Sequence, residues 1–234
     1  MIDERFSRSV GVWGTEFAEK LSRSHVAVFG LGGVGSFAVE ALARAGIGKM
    51  TLIDFDRIAL TNINRQIHAL DDTLGRFKTE VMAERILNIN PALQVMSITE
   101  RYQAENRFKF FEQEYDYVID AIDDVAGKVS LAQECAVRKI PLISCMGTGN
   151  KIDPTAFRVT DVFSTAVDPL ARVMRRKLKA VGVDKLKVVY SPEEPIKVDL
   201  NENGKLVPGS VSFVPPVAGF ILAGEVLKSL KEGK

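Results

Sequence analysis

An α/β fold, a mostly parallel Rossmann-like sheet with helices on both faces, is predicted by three features of the first 150 residues. Short apolar runs alternate with helical patterns, a glycine-rich turn follows the first run, and an acidic residue, Asp54, ends the second. Alternation of this kind implies parallel strands joined by crossover helices. The first run, HVAVFG (His25 to Gly30), is β-branched and stopped by glycine. After Gly33, residues Val34, Phe37, Ala38, Ala41, Leu42 and Ala45 follow helical spacing. MTLIDF (Met50 to Phe55) is the second strand, and a helical pattern runs from Phe77 to Asn88, closed by Pro91. LQVMSI (Leu93 to Ile98), YDYVIDAI (Tyr115 to Ile122) and PLISCM (Pro141 to Met146) are three further strands, with helical patterns between them. After Asp153 the texture changes to an alternating strand (AFRVTDVF), a basic helix, a polar loop over Asn201 to Gly204 and a C-terminal helix. Without an internal repeat or low-complexity linker, the chain reads as one domain over residues 1–234. Its core is 1–150, and 151–234 is a C-terminal extension with a basic helix.

Composition narrows the function classes. The 234 residues are 46% hydrophobic and 26% charged, which fits a globular protein and excludes disordered, collagenous and disulfide-rich classes. Such a chain buries roughly 70% of its unfolded surface and needs no metal or disulfide to fold. The two cysteines, Cys135 and Cys145, form no CxxC pair, which excludes a four-cysteine zinc site. The N-terminus is charged and lacks the apolar core of a signal peptide. The longest uncharged stretch, Gly209 to Gly224, has 16 residues and is broken by Pro215 and Pro216. A membrane span needs ~20 apolar residues, so this stretch reads as a buried helix or partner interface and the protein as cytoplasmic.

GLGGVG (Gly30, Gly32, Gly33, Gly35) matches G-x-G-x-x-G between a strand and a helix. Glycines there let the backbone approach a phosphate, and the helix N-terminus offers free N–H groups and a positive dipole end. Asp54, 19 residues after Gly35, is where an acid bonds ribose hydroxyls. This much fits NAD equally well. The following loop adds Asp56, Asn62, Asn64, Arg65 and Gln66, and Lys78 opens the next helix. A nicotinamide site has little use for Arg plus Lys beside the phosphates. A nucleotidyl transferase needs them, because charge accumulates as pyrophosphate leaves. Asp123, in DAIDD (Asp120 to Asp124) at the same sheet edge, is placed to hold magnesium against a triphosphate.

On these residues, an N-terminal RxxR, GxGGxG, DxDxxxxxNxxRQ, Lys and DxxD, the chain resembles the MoeB/ThiF/HesA superfamily of ATP-dependent carboxylate-adenylating enzymes. The resemblance implies an ATP site in which Gly30, Gly32 and Gly35 line the nucleotide and Asp54 binds ribose. It also implies that Asn62, Arg65 and Lys78 bind phosphates, with Gln66 and Asp56 beside them, and that Asp123 is linked to Mg2+. Arg5 and Arg8 resemble the N-terminal arginines of family dimers, one of which reaches the partner's triphosphate; Arg8 is the better match, and a homodimer follows. Asp124 departs from the Asn usual in sulfur-carrier activators.

Sulfur-carrier activators commonly carry two CxxC pairs, and protein-modifier activators carry a thioester cysteine; this chain has no CxxC, and Cys145 reads as a small buried residue. The segments Gly147 to Val183, Val188 to Pro195 and Gly209 to Leu227 resemble the branch of tRNA threonylcarbamoyladenosine dehydratases. That branch implies a tRNA partner carrying threonylcarbamoyladenosine, whose carboxylate is activated and cyclised. A cysteine desulfurase/sulfur-acceptor system stands among the partners this relationship raises. The charge pattern supports tRNA independently. Arg172 to Lys187 holds seven Lys/Arg and one acid, net +6 in 16 residues, while the remainder carries 24 basic against 29 acidic residues, or −5. Asp168-Pro169 caps a helix on which Leu170, Val173, Met174, Leu178 and Val181 form an apolar arc. Arg172, Arg175, Arg176, Lys177 and Lys179 occupy the other arcs as phosphate contacts. Three rivals remain open: an activator of a small sulfur-carrier protein, an NAD(P)-binding oxidoreductase, and a tRNA-binding protein with a vestigial nucleotide pocket.

Overall fold

The computed structural model describes residues 3–202 and 204–233. In chain order the helices and strands are α1 (Ser7–Trp13), α2 (Thr15–Leu21), β1 (His25–Phe29), α3 (Gly35–Ala45), β2 (Lys49–Ile53), α4 (Lys78–Ile89) and β3 (Gln94–Ile98). They continue with β4 (Tyr117–Asp120), α5 (Val125–Arg138), β5 (Leu142–Cys145), β6 (Arg158–Asp161), α6 (Pro169–Ala180) and β7 (Lys187–Tyr190). A two-stranded ribbon, β8 (Asn201–Glu202) and β9 (Lys205–Leu206), precedes α7 (Val214–Glu232). The seven main strands lie in the order β3-β2-β1-β4-β5-β7-β6. Every pair is parallel except β6 with β7. The α/β Rossmann-like class expected from the sequence is the one observed.

Strand order reverses between β1 and β4, the kind of switch point at whose carboxyl edge open α/β sheets bind ligands. The register fixes that edge. Phe29 of β1 is level with Ile53 of β2 and with Asp120 of β4, and Asp120 is level with Ser144 of β5. Four strands therefore release their chains side by side.

β1 is buried along its whole length, as a central parallel strand must be. Val26 and Val28 face one layer, with Leu42 of α3, Met82 of α4 and Leu222 and Val226 of α7. Ala27 and Phe29 face the other, with Val118, Leu131 and the aromatic group Tyr102, Phe110 and Phe111. Phe29 stacks on Phe111 with ring centroids 6.0 Å apart and meets Tyr102 edge-on at 5.2 Å.

Several details depart from the sequence reading. Two short N-terminal helices, α1 and α2, had no counterpart in it. The β3–β4 crossover carries a 3-10 helix, Ala104–Phe111, where an α-helix was expected; it buries Phe110 and Phe111 under β1. The polar loop at 201–204 is mostly the β8–β9 ribbon, and its Asn203 lies outside the described residues. The uncharged stretch from 209, in keeping with the buried helix expected of it, runs into the first half of α7 from Val214, with Pro215 and Pro216 in the opening turn, where missing N–H groups cost nothing. Among the described residues no helix is long and apolar enough to cross a membrane.

Helix α7 lies close on α3 because Gly219 has no side chain; a Cβ there would stand 2.3 Å from the Val34 carbonyl oxygen. Backbone cannot yield as a flexible side chain can, so Gly219→Val is expected to destabilise the fold by about 1–3 kcal/mol. Gly224, on the same helix, has open space around it, and Gly224→Ala is expected to stabilise by roughly 0.5–1 kcal/mol. Denaturant midpoints moving in opposite directions for the two variants are the check.

Candidate functional site

At the switch point the chain turns within a very small space. Gly30 has φ +89°, and a Cβ on it would lie 2.5 Å from the Ala121 carbonyl oxygen. A Cβ on Gly35 would lie 1.8 Å from the Gly30 carbonyl oxygen. Only glycine fits either place, and the result is the N-terminus of α3 opening directly beside the ends of β1 and β4.

Asp54, just past β2, is buried and ties this turn to the next loop. Its Oδ2 accepts from the Leu31 backbone N–H at 2.6 Å and its Oδ1 from that of Asp56 at 2.8 Å. Burial pushes its carboxyl above the usual carboxylate range, against the pull of Lys78 and the two N–H donors. Lys78 opens α4 with its side chain only 6% exposed, and Nζ donates to Asp56 Oδ2 at 2.8 Å. It is a buried cation aimed at the site rather than a solvated helix residue. Asn62 is half-buried and its Oδ1 accepts from the Ala59 N–H at 3.1 Å. Arg65 is half-buried, held by the Thr61 carbonyl and Asn64 Oδ1. Gln66 is buried with its Oε1 lacking a hydrogen-bond partner. Asp123 is exposed, and no hydrogen bond or ion pair engages it among the described residues. Asp124, the departure from the sulfur-carrier pattern, caps α5 by accepting from the Gly127 N–H at 2.7 Å.

These side chains line one cleft of about 470 Å³, together with Gly30, Gly32 and Gly33. That volume suits a nucleotide-sized ligand. Its far wall was not foreseen. Gly147 to Gly149 after β5, Pro208 to Ser210, Leu170 of α6 and the Glu100–Tyr102 segment all line it, and the Arg101 guanidinium lies 5.2 Å from the centre of the Phe55 ring. Glycine Gly35 is not on the lining; it acts by letting the turn close. Arg8 stands exposed on α1 and is not among the lining residues. Arg5 is bound to its own chain, donating to the Ile89 carbonyl at 2.8 Å and pairing with Asp3.

Of the basic set on α6, Arg172, Arg176, Lys177 and Lys179 are exposed. Arg175 is not: it is half-buried and donates to the Thr165 carbonyl at 3.0 Å. Lys187, counted in the same cluster, pairs with Glu225 of α7 at 2.7 Å. Asp168 caps the helix as expected, accepting from the Ala171 N–H at 2.8 Å.

Two buried ammonium groups under the cleft escaped the sequence reading. Lys128 Nζ donates to Asp120 Oδ2 at 3.0 Å, Ser144 Oγ at 3.2 Å and the Cys145 carbonyl at 2.7 Å, so α5 staples the ends of β4 and β5. Its signal was present: Lys128, Leu131, Ala132 and Cys135 share one helical arc, and a lysine on an apolar arc needs a buried partner. Lys151 makes a similar staple with Asp168. Cys145 is buried, and burial pushes its thiol up to about 12, which removes it as a nucleophile at neutral pH.

A model of the ThiF family matches residues 6–233. The chain belongs to the ThiF family. Among its members, the tRNA threonylcarbamoyladenosine dehydratase of Bacillus subtilis is 44% identical over 239 residues, covering 97% of this chain and 94% of the relative. The crystal structure of the Escherichia coli tRNA N6-threonylcarbamoyladenosine dehydratase, TcdA, in complex with ATP superposes with a TM-score of 0.91 at 38% identity. That match covers 100% of this chain and 98% of the other. The E. coli enzyme in complex with AMP matches equally well, with a TM-score of 0.91. The fold around the switch point is thus that of a ThiF-family protein crystallised with ATP and with AMP.

Two expectations follow from the buried charges of this ThiF-family chain. Lys128→Met leaves Asp120 buried without its cation and should cost about 3–5 kcal/mol in a denaturant melt. The chain's two histidines, His25 and His68, are buried and held down to about 4, chiefly by burial. Below the unfolded value of 6.5 the unfolded chain takes up protons that the folded chain refuses, so stability should fall as pH drops from 6.5 toward 4. Melts of His68→Leu across that range should show a shallower fall than the parent.

Proposed function

We propose that this chain is an ATP-dependent tRNA threonylcarbamoyladenosine dehydratase, acting as a single unit over residues 1–234. The observation that carries the reading is one cleft with two kinds of wall. At one end lie the glycine turn, Arg65 and Lys78; at the other lies Leu170, in the first turn of a helix with four exposed basic side chains. Relatives of that name match over nearly the whole chain, which supports the same conclusion.

In the proposed reaction, ATP takes the sheet-edge end. The α3 N-terminus and the glycine turn receive its phosphates, and Asp54 keeps lone pairs for the ribose beyond its two backbone bonds. The threonyl carboxylate of the modified adenosine attacks the α-phosphorus, and the bond to the bridging oxygen breaks as pyrophosphate leaves. Arg65 and Lys78 meet the growing negative charge, with Asn62 and Gln66 positioning the phosphates. Lys78 is already desolvated, so its charge acts strongly there and needs little reorganisation. Trading Asp56 for a phosphate keeps it paired throughout. The carbamoyl group then attacks the acyl carbon and gives up its proton to water, AMP departs with the shared oxygen, and the nucleoside has lost one water.

The exposed, uncommitted carboxylate of Asp123 fits a magnesium ion held by one protein oxygen, phosphates and water, which is how that ion commonly binds. When bound, it neutralises phosphate charge. No cluster of three metal-ligating side chains occurs among the described residues.

Arg172, Arg176, Lys177 and Lys179 hold tRNA phosphates, while Arg175, being committed to Thr165, braces the helix from inside. A tRNA substrate puts the work in the cytoplasm. Arg8 acts across a homodimer, on the partner's cleft. The reaction as written consumes no sulfur, so a cysteine desulfurase/sulfur-acceptor system is not required by it.

The test is mass analysis of nucleosides from tRNA carrying threonylcarbamoyladenosine after incubation with protein, ATP and Mg2+. Loss of one water from that nucleoside, abolished in Lys78→Ala, is expected; an unchanged mass contradicts the reading. Mixing Arg8→Ala with Lys78→Ala should restore activity that neither has alone, because one hybrid cleft then holds both intact groups.

A further inference from the structure

We propose that Lys151 is a positioning residue: it fixes the first turn of α6, and so the basic face of that helix, against the loop that forms the far wall of the cleft. The inference rests on the dehydratase reading and adds the element that sets tRNA relative to the reacting centre.

Lys151 Nζ is fully enclosed and has three acceptors. These are the Gly147 carbonyl at 2.9 Å, Asp168 Oδ2 at 2.8 Å and the Ser191 carbonyl at 3.1 Å. Its side chain is 1% exposed and that of Asp168 is 0%. The same Asp168 caps α6 through its other oxygen, at 2.8 Å from the Ala171 nitrogen. One ammonium thus joins the loop after β5, the chain after β7 and the start of α6. Gly147 itself packs onto the carboxylate, since a Cβ there would lie 3.0 Å from Asp168 Oδ2.

Left-handed backbone precedes each member of the pair. Asn150, directly before Lys151, has φ +59°, and Val167, directly before Asp168, has φ +69°. The left-handed region is strained for a β-branched residue such as Val167, and such a conformation persists only where its surroundings dictate it. Asn150 is further clamped to the neighbouring segment of the same wall. Its N–H donates to the Gly209 carbonyl at 2.8 Å, and its Oδ1 accepts from the Gly209 N–H at 2.6 Å. Geometry here is specified at the expense of local stability.

A buried ion pair contributes little net stability compared with apolar residues of similar volume, so its value lies in the arrangement that it selects. The arrangement selected is pertinent to the reaction. Gly147 and Leu170, on either side of the pair, both line the cleft. From Leu170 to Lys179 the helix rises ~14 Å, so a polyanion on the exposed face is held within that reach of the cleft wall. Ala171, Met174 and Leu178 lock the inner arc.

The test uses the full chain with ATP, Mg2+ and tRNA carrying threonylcarbamoyladenosine. Lys151→Met alone leaves a buried charge and risks unfolding, so the working variant is the double Lys151→Met/Asp168→Asn, which removes both charges and keeps a side chain able to cap α6. Expected is a folded protein whose Kd values for ATP and for tRNA stay within about threefold of the parent while kcat drops roughly 10- to 100-fold, the scale of an ångström misplacement. Parental kcat in the double variant overturns the inference while leaving the dehydratase reading intact. So does an equal loss of tRNA affinity and of turnover, or failure of the charge-free pair to fold, either of which makes the ion pair a plain structural element. A parent protein that leaves the nucleoside unchanged overturns the functional reading and this inference with it.

Discussion

The carboxylate of Asp54 is the constraint on which the site depends. It is one buried side chain, yet it bonds the N–H of Leu31 in the glycine turn and that of Asp56 in the loop that carries Asn62, Arg65 and Gln66. Asp56 in turn holds Lys78 at the start of α4. The backbone and the cations proposed to meet the phosphates are therefore set against each other before any ligand arrives. Preorganisation of this kind is what makes a fixed charge effective in a transition state.

A second group of buried charges supports the opposite wall. Lys128 draws the ends of β4 and β5 together, and Lys151 ties the next loop to α6. Both ammonium groups are engaged by carbonyl oxygens as well as a carboxylate, so each satisfies several acceptors that would otherwise be stranded below the cleft. Asp54 follows β2, Lys128 reaches the ends of β4 and β5 from α5, and Lys151 lies in the loop after β5. Together they turn a set of loops into a rigid rim.

Much of this was legible in the sequence where a feature is local. The β-branched runs gave the strands, the glycine spacing gave the turn, and Asp168-Pro169 gave the start of α6, because each depends on neighbours within one helical turn or strand. Features set by distant partners were hidden. Nothing near Arg175 announces that Thr165 takes its guanidinium, and Lys187 reads as part of a basic cluster until Glu225 of α7 is brought beside it. Lys151 gave no sign because its partners come from three separate segments. Motif singles out Arg8, but within one chain it is not among the residues that line the cleft. The overall charge concealed most of all: +1 for the chain divides into a +6 stretch and a −5 remainder. Folding sharpens the division, because it leaves four of those cations exposed on α6 and withdraws Arg175 and Lys187 from the surface set.

In the proposed reaction Arg65, Lys78 and the glycine turn serve carboxylate adenylation, and the basic helix brings tRNA to it. The most direct measurement counts adenine nucleotides against modified nucleoside in a single reaction. One AMP and one pyrophosphate for each threonylcarbamoyladenosine dehydrated is the predicted result. ADP and phosphate in place of them, or AMP formed at the same rate without modified tRNA, would contradict it.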